Sequence, residues 1–289
     1  MNNVTYTITN FLNPLEQSCS PKDFEGILES TDHLGVSFSS IVEEVVASPF
    51  WQSVDYLDNP YKSLSLHLAK EIDHIYRTNL EPAYHSRLHF KDVCLILSYL
   101  LMQEELIEAH ELAKSAWASS REEKWALLFA AIAHDFYHPG LINQTPFEIE
   151  MKSVALLEAF LFKSKLNNIL IESIIHRINP WILATDPQAY GSLLSKITRD
   201  KASHEDCLAM LLIEADLFAS ILPIKGQMLG VRLAEEWKSA NPAKAIAVIS
   251  KQGRVTFLES LRFVSPHSQV LGAEQIRLSS IRALTDLKY

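Results

Sequence analysis

What most constrains the fold of this chain is the return of apolar residues at intervals of three and four. From Tyr61 onward, Leu64, Leu68, Ile72, Ile75 and Tyr76 mark one face of a helix, because 3.6 residues per turn bring such positions to the same side. The same period runs through Val93–Met102, Trp125–Ala133, Val154–Phe162, Ile169–Ile178, Leu208–Leu217 and Met228–Trp237. No stretch alternates apolar and polar residues between tight Asn-Gly or Asp-Gly turns, the pattern of paired strands. The expectation is an all-α, multi-helix bundle. Ser120-Arg121-Glu122-Glu123 has the form of a capping box at a helix start, and Pro139-Gly140 predicts a sharp helix stop just after His138. Thr5 to Asn10, rich in β-branched and polar residues, reads as an arm. Residues 1–60 form an N-terminal region of arm and helices. It contains none of the candidate chemistry, which is therefore expected not to need the chain before Asp55.

Composition narrows the classes of function. The chain has 289 residues, and 48% of them are hydrophobic, enough for a large core. Its 8 glycines are scattered, so a glycine-rich phosphate loop is not expected. With 35 acidic against 26 basic residues it lacks the excess of cations that a nucleic-acid backbone attracts, and no nucleic-acid partner is expected. Cys19, Cys94 and Cys207 are far apart and lack metal-site spacing, which points to free thiols in a reducing compartment. There is no basic region before Lys22 and no apolar leader, and the apolar run Val93–Met102 is too short to span a bilayer. A cytoplasmic protein without a membrane partner is expected; the oligomeric state is not legible.

Three distant segments concentrate histidine and aspartate. Tyr84-His85-Ser86-Arg87-Leu88-His89 places two histidines four apart, on one face if the segment is helical. His134-Asp135-Phe136-Tyr137-His138 follows directly on an apolar helix, and Asp216 lies inside another, where its neighbours suggest burial. Each has an ordinary reading alone: a surface histidine pair, a helix cap, a carboxylate paired in the core. Together, two imidazoles and two carboxylates make a plausible ligand set for a divalent ion such as zinc. Asp135, with two oxygens, can bridge to a harder ion such as magnesium or manganese completed by water. A hydroxide between two such ions is a strong nucleophile at neutral pH, the chemistry of phosphoester hydrolysis.

These segments resemble the HD-domain metal-dependent phosphohydrolases, and more specifically the catalytic domain of class I 3′,5′-cyclic nucleotide phosphodiesterases. The family's Y-H-N-x-x-H-x-x-D-V is similar to YHSRLHFKDV from Tyr84, and its H-D-x-x-H-P-G-x-x-N to HDFYHPGLIN, ending at Asn143. Its L-A-T-D and A-D-L correspond to Leu183–Asp186 and Ala215–Leu217. The resemblance implies a phosphodiesterase-like helical bundle over 61–289 with its motif core at 84–217. It implies that His89, His134, Asp135 and Asp216 hold the tight ion, zinc, and that Asp135 bridges to magnesium or manganese. It implies that His85 protonates the departing 3′ oxygen and His138 bonds the water around the second ion. Tyr84, Asn143 and Thr185 would lie close by. Ser86 stands where the family has asparagine, and beyond Asp216 the similarity nearly ends. Gln269 or Gln275, with Phe257 or Phe263, stand in for the family's purine-binding pair.

The expected activity is hydrolysis of a cyclic nucleotide to the 5′-monophosphate, with a small-molecule phosphoester as partner. Two alternatives stay open: an HD phosphohydrolase acting on another small phosphoester, and a non-catalytic helical regulatory domain that keeps its metal for folding. His85 favours the diester, since an alkoxide leaving group gains from an acid. Trp117, Trp125 and Trp237 read as packing residues, His67 and His74 as surface, and Ser265-Pro266-His267 as a loop before a final helix.

Overall fold

In this computed structural model, residues 8–13, 21–33, 35–105, 107 and 116–286 are described. The helices run in order as α1 (Pro21–Asp32), α2 (Phe38–Ala47), α3 (Pro49–Ser53), α4 (Pro60–Thr78), α5 (Arg87–Met102), α6 (Arg121–Ala133), α7 (Glu148–Phe162) and α8 (Asn168–Leu183). There follow α9 (Pro187–Thr198), α10 (His204–Ile221), α11 (Lys225–Trp237), α12 (Pro242–Ile249), α13 (Lys251–Ser260), α14 (Pro266–Val270) and α15 (Ala273–Asp286). Among the described residues there is no strand, as the periodicity predicts.

A helix buried on all sides has to sit at the centre of its structure. Every residue from His89 to Met102 of α5 is buried, as is every residue from Lys124 to Ala133 of α6 and from Cys207 to Ala215 of α10. These three helices pack on one another and the others surround them. Local chemistry starts the helices where the sequence predicts. Ser120 and Glu123 close a capping box on α6, and Ser203 with Asp206 closes another on α10. Asn59 caps α4 by accepting from the Tyr61 and Lys62 amides, with Pro60 in the first turn. Trp125 is fully buried and Trp117 and Trp237 are half-buried, while His67 and His74 are exposed.

The arm expected at Thr5–Asn10 is corrected over its described part. Residues 8–11 are helical, and Ile8, Phe11 and Leu12 are buried; their spacing of three and four is that of a helical face. Phe11 stacks on Tyr99 of α5 with ring centroids 4.8 Å apart. Thr5 and the rest of residues 1–7, and Cys19, lie outside the described residues. Cys94 and Cys207 are buried and unpaired. The core crosses residue 60: α2 packs on both α4 and α5, and α1 reaches the middle of α5 through charge.

That contact is a buried ion network. Lys91 of α5 pairs with Asp32 of α1 and lies 3.0 Å from Asp92, while Lys225 of α11 lies 2.6 Å from Asp32 and 2.9 Å from Asp92. All four side chains are almost wholly buried. Two cations balance two anions, which is the condition for holding charge in a core. Glu25 adds a second tie from α1, accepting at 2.7 Å from the amides of Ile224 and Lys225 at the start of α11.

Candidate metal centre and active site

The site forms where α5 begins, α6 ends and α10 passes. The sequence predicts a helix running to His138, but α6 stops at Ala133 and the chain turns through His134–His138. The reason lies in the backbone: Tyr137 takes a left-handed φ of 64° and Gly140 one of 69°, and proline disfavours helical angles in the residue before it. The turn aims His134, Asp135 and His138 into the same space. At α5 the expectation of His85 and His89 on one helical face is also corrected. The helix begins only at Arg87, because the amides that would extend it are used elsewhere: Glu236 of α11 accepts from Tyr84 N at 2.8 Å and from His85 N at 3.1 Å, and Glu81 accepts from Arg87 N at 2.6 Å. The two rings stand edge to face, 6.0 Å apart.

Four donor atoms converge. His89 Nε2 lies 3.1 Å from Asp216 Oδ1, 3.2 Å from Asp135 Oδ2 and 3.3 Å from His134 Nε2. His134 Nε2 lies 3.1 Å from Asp135 Oδ2 and 3.8 Å from Asp216 Oδ1. Nitrogen and oxygen ligands bind zinc at about 2.0–2.2 Å, which puts neighbouring ligands about 3.0–3.5 Å apart. The spacings among His89, His134 and Asp135 fit such an ion, their ligand atoms all lying within 4.8 Å of one another, and Asp216 adjoins this group through His89. The donor chemistry fits as well: His134 Nδ1 sits 2.8 Å from the Ala131 carbonyl, which fixes its proton there and turns the bare Nε2 lone pair toward the cluster. Burial works against a charge on His89, yet the hydrogen bonds and charges of Asp135 and Asp216 raise its pKa to about 10. The cluster is built to hold positive charge. Asp216, expected to be buried, is in fact part exposed, because its carboxylate opens onto this space.

A second group adjoins the first through Asp135. Ligand atoms of His85, Asp135 and His138 lie within 4.8 Å of one another, and the rings of His85 and His138 stack at 3.5 Å. His138 Nδ1 accepts from the Gly140 amide at 3.1 Å, leaving Nε2 to carry the proton. Burial, then the neighbouring charge of His85, lowers the His138 pKa to about 3, so the ring is neutral at physiological pH. His85 is held by a residue the sequence did not disclose: Glu236 Oε1 lies 2.6 Å from His85 Nδ1. Burial of Glu236 favours its acid form, but the bonds from the His85 ring and the two backbone amides outweigh this and lower its pKa. Gly140 makes room for it: a Cβ there would come within 2.9 Å of Glu236 Cγ.

The remaining candidates have other partners. Tyr84 lies against His89, ring centroids 4.9 Å apart, and its phenol is kept protonated first by burial and then by the charges of Asp216 and Asp135. Asn143 donates to Glu150 and accepts from the Ile149 amide, both at 2.8 Å. Thr185 donates to the Ile182 carbonyl at 2.8 Å, while its neighbour Asp186 accepts from the amides of Phe147 and Gln188. Gln269 is exposed, with its amide on the Val264 carbonyl; Gln275 is exposed, Phe257 half-buried and Phe263 buried. The loop reading at Ser265-Pro266-His267 is corrected: Ser265 caps α14, and His267 is fully buried with Nε2 3.2 Å from Glu104.

With this geometry in view, residues 84–158 match the family model for 3′5′-cyclic nucleotide phosphodiesterases. No curated protein matches the chain. The matched segment carries Tyr84, His85, His89, His134, Asp135 and His138, while Asp216 and Glu236 lie beyond it. Over that segment, the chain resembles the catalytic domain of class I cyclic nucleotide phosphodiesterases.

Proposed function

We propose that this chain is a metal-dependent phosphodiesterase that opens a 3′,5′-cyclic nucleotide to the 5′-monophosphate. One observation carries the reading: a histidine held through Nδ1 by a carboxylate lies beside His89, His134 and Asp135, whose ligand atoms are grouped closely enough to share a metal ion, with Asp216 3.1 Å from His89. A site that kept metal only for folding would need no such histidine. His89, His134, Asp135 and Asp216 would hold the tight ion, zinc, and Asp135 would also help hold magnesium or manganese at the adjoining group. When bound, the ions supply Lewis-acid polarisation of the phosphoryl oxygens and lower the pKa of water.

The protein's own residues supply the rest. Glu236 fixes the His85 ring through Nδ1, leaving Nε2 on the far side of the ring to deliver a proton to the 3′ oxygen as its bond to phosphorus breaks. The oxygen of the attacking water forms the new P–O bond as the bond from phosphorus to the 3′ oxygen breaks, one water proton is released to solvent, and His85 regains a proton from solvent. His138, neutral and with its proton on Nε2, donates a hydrogen bond toward water or a phosphoryl oxygen. The exposed position of Gln269 leaves base recognition unassigned and keeps another small phosphodiester as the second reading.

Turnover of the purified protein on cyclic AMP, cyclic GMP, a nitrophenyl diester and a set of monophosphates tests the proposal. A cyclic nucleotide should be the best substrate, with activity lost on chelation and restored by zinc with magnesium. Turnover of monophosphates alone, or metal binding without turnover of any diester, would reject it.

A further inference from the structure

One cation close to the metal cluster lacks an anion. Arg254 of α13 donates to the Ser220 carbonyl, and the Phe257 ring centre lies 5.8 Å from its guanidinium carbon. Gly226 makes the space, since a side chain there would meet both the guanidinium and the Ser220 carbonyl. Among the described residues Arg254 pairs with no carboxylate. Its other N–H groups have no partner there and none is enclosed, so they open onto free space. Burial lowers its pKa to about 10 and Tyr84 partly offsets this, so the group stays a cation at neutral pH. Two neighbours set it beside the cluster. Ser220 stands four residues after Asp216 on α10, one turn along the same face. Tyr84, whose ring lies 4.9 Å from that of His89, interacts with both Arg254 and the Ser220 side chain. An arginine at a helix C-terminus can serve simply to satisfy a last carbonyl, but that takes one of its five N–H donors.

We propose that Arg254 reads the base of the substrate, and that this base is guanine. The inference rests on the cyclic-nucleotide reading, in which the metal site takes the phosphate and the base edge is what offers paired acceptors elsewhere. A guanidinium carries donors only, side by side in one plane. Guanine presents two adjacent acceptors, O6 and N7, and an arginine can bond both. Adenine presents N7 beside an amino group, which would set N–H against N–H. A glutamine, with one donor and one acceptor, matches adenine instead.

Calorimetric binding of 5′-GMP and 5′-AMP to the full chain, with zinc and magnesium present, tests the inference without turnover. Wild type should bind 5′-GMP about tenfold more tightly and prefer cyclic GMP over cyclic AMP in kcat/KM by a similar factor. Arg254→Gln should abolish or reverse that preference, losing more on cyclic GMP than on a nitrophenyl diester, which has no base. Arg254→Lys keeps the cation and a donor for the Ser220 carbonyl but not the planar pair of donors. It should lose most of the preference, and it decides if the glutamine variant fails to fold. Equal affinity of wild type for the two monophosphates, or a folded variant that keeps the preference or loses equally on all three substrates, would overturn the inference. A chain that binds 5′-GMP selectively through Arg254 yet turns over no diester would support guanine recognition while rejecting the phosphodiesterase reading.

Discussion

Gly140 shows how a residue without a side chain can decide the chemistry. It takes φ of 69°, and a Cβ at that position would press on Glu236 at 2.9 Å. Gly140→Ala therefore costs about 1–3 kcal/mol in backbone strain and displaces the carboxylate that holds His85. Turnover should fall as it does in Glu236→Gln, while the amount of bound metal stays the same, because neither residue is among the proposed metal ligands. The donors themselves should fail differently. Asp216→Ala removes one of the four, so metal analysis should show the tight ion lost; a folded variant that keeps it would reject the ligand assignment. His85→Ala should keep the metal and lose about 10²–10⁴-fold in rate on a cyclic nucleotide. The loss should be much smaller on a nitrophenyl diester, whose leaving group is already stable as an anion. Equal losses on both substrates would remove His85 from proton transfer.

At the scale of elements, α1 carries no candidate ligand, but it carries half the negative charge around Lys91 and Lys225. Lys91 lies two residues after His89, and Lys225 begins the helix that ends near Glu236. Deleting residues 1–54 would remove Asp32 together with the buried Phe24, Leu28, Ile41, Val42, Val45 and Trp51, and so bare a large apolar face of the remaining helices to water. The sequence expects this region to be unnecessary for the chemistry itself, and its share of the core bears on folding instead. The shortened chain should melt far below the full one and lose the tight metal with its fold; a shortened chain that melts as the full one does would show that α1 adds little. The sequence discloses the helices themselves through their apolar period, yet it misses two of their ends. Nothing near His85 shows that its amide binds Glu236, a partner 151 residues away, and α6 stops at Ala133, short of the expected end at His138, because of left-handed angles that residue types alone do not announce.

For the molecule as a whole, what was legible follows from which residues break the apolar pattern. His89, His134, Asp135 and Asp216 stand out because each interrupts or ends a buried helix, and the structure brings all four together. Lys91 and Asp92 interrupt α5 in the same way, but nothing in the sequence pairs them, because their partners on α1 and α11 share no spacing with them. The buried network they form sets a whole-molecule property, stability in acid. Burial alone would raise the pKa of Asp32, but the charges and hydrogen bonds of Lys91 and Lys225 more than offset this and lower it. A carboxylate with a lowered folded pKa binds its proton later when folded than when unfolded. Its stabilisation is therefore complete above the unfolded value of about 3.9 and is lost as the pH falls toward and through the folded one. Asp32→Asn mimics the protonated side chain at every pH. At pH 7 it should destabilise the chain by about 3–5 kcal/mol in urea denaturation, the cost of stranding part of a buried charge network. Below about pH 4 the gap to wild type should begin to narrow as the unfolded chain takes up the proton, and it closes only once the pH is below the lowered folded value. A gap that stays constant across that range would mean that Asp32 acts through shape and packing, and that the network's charge contributes nothing to holding α1 against the core.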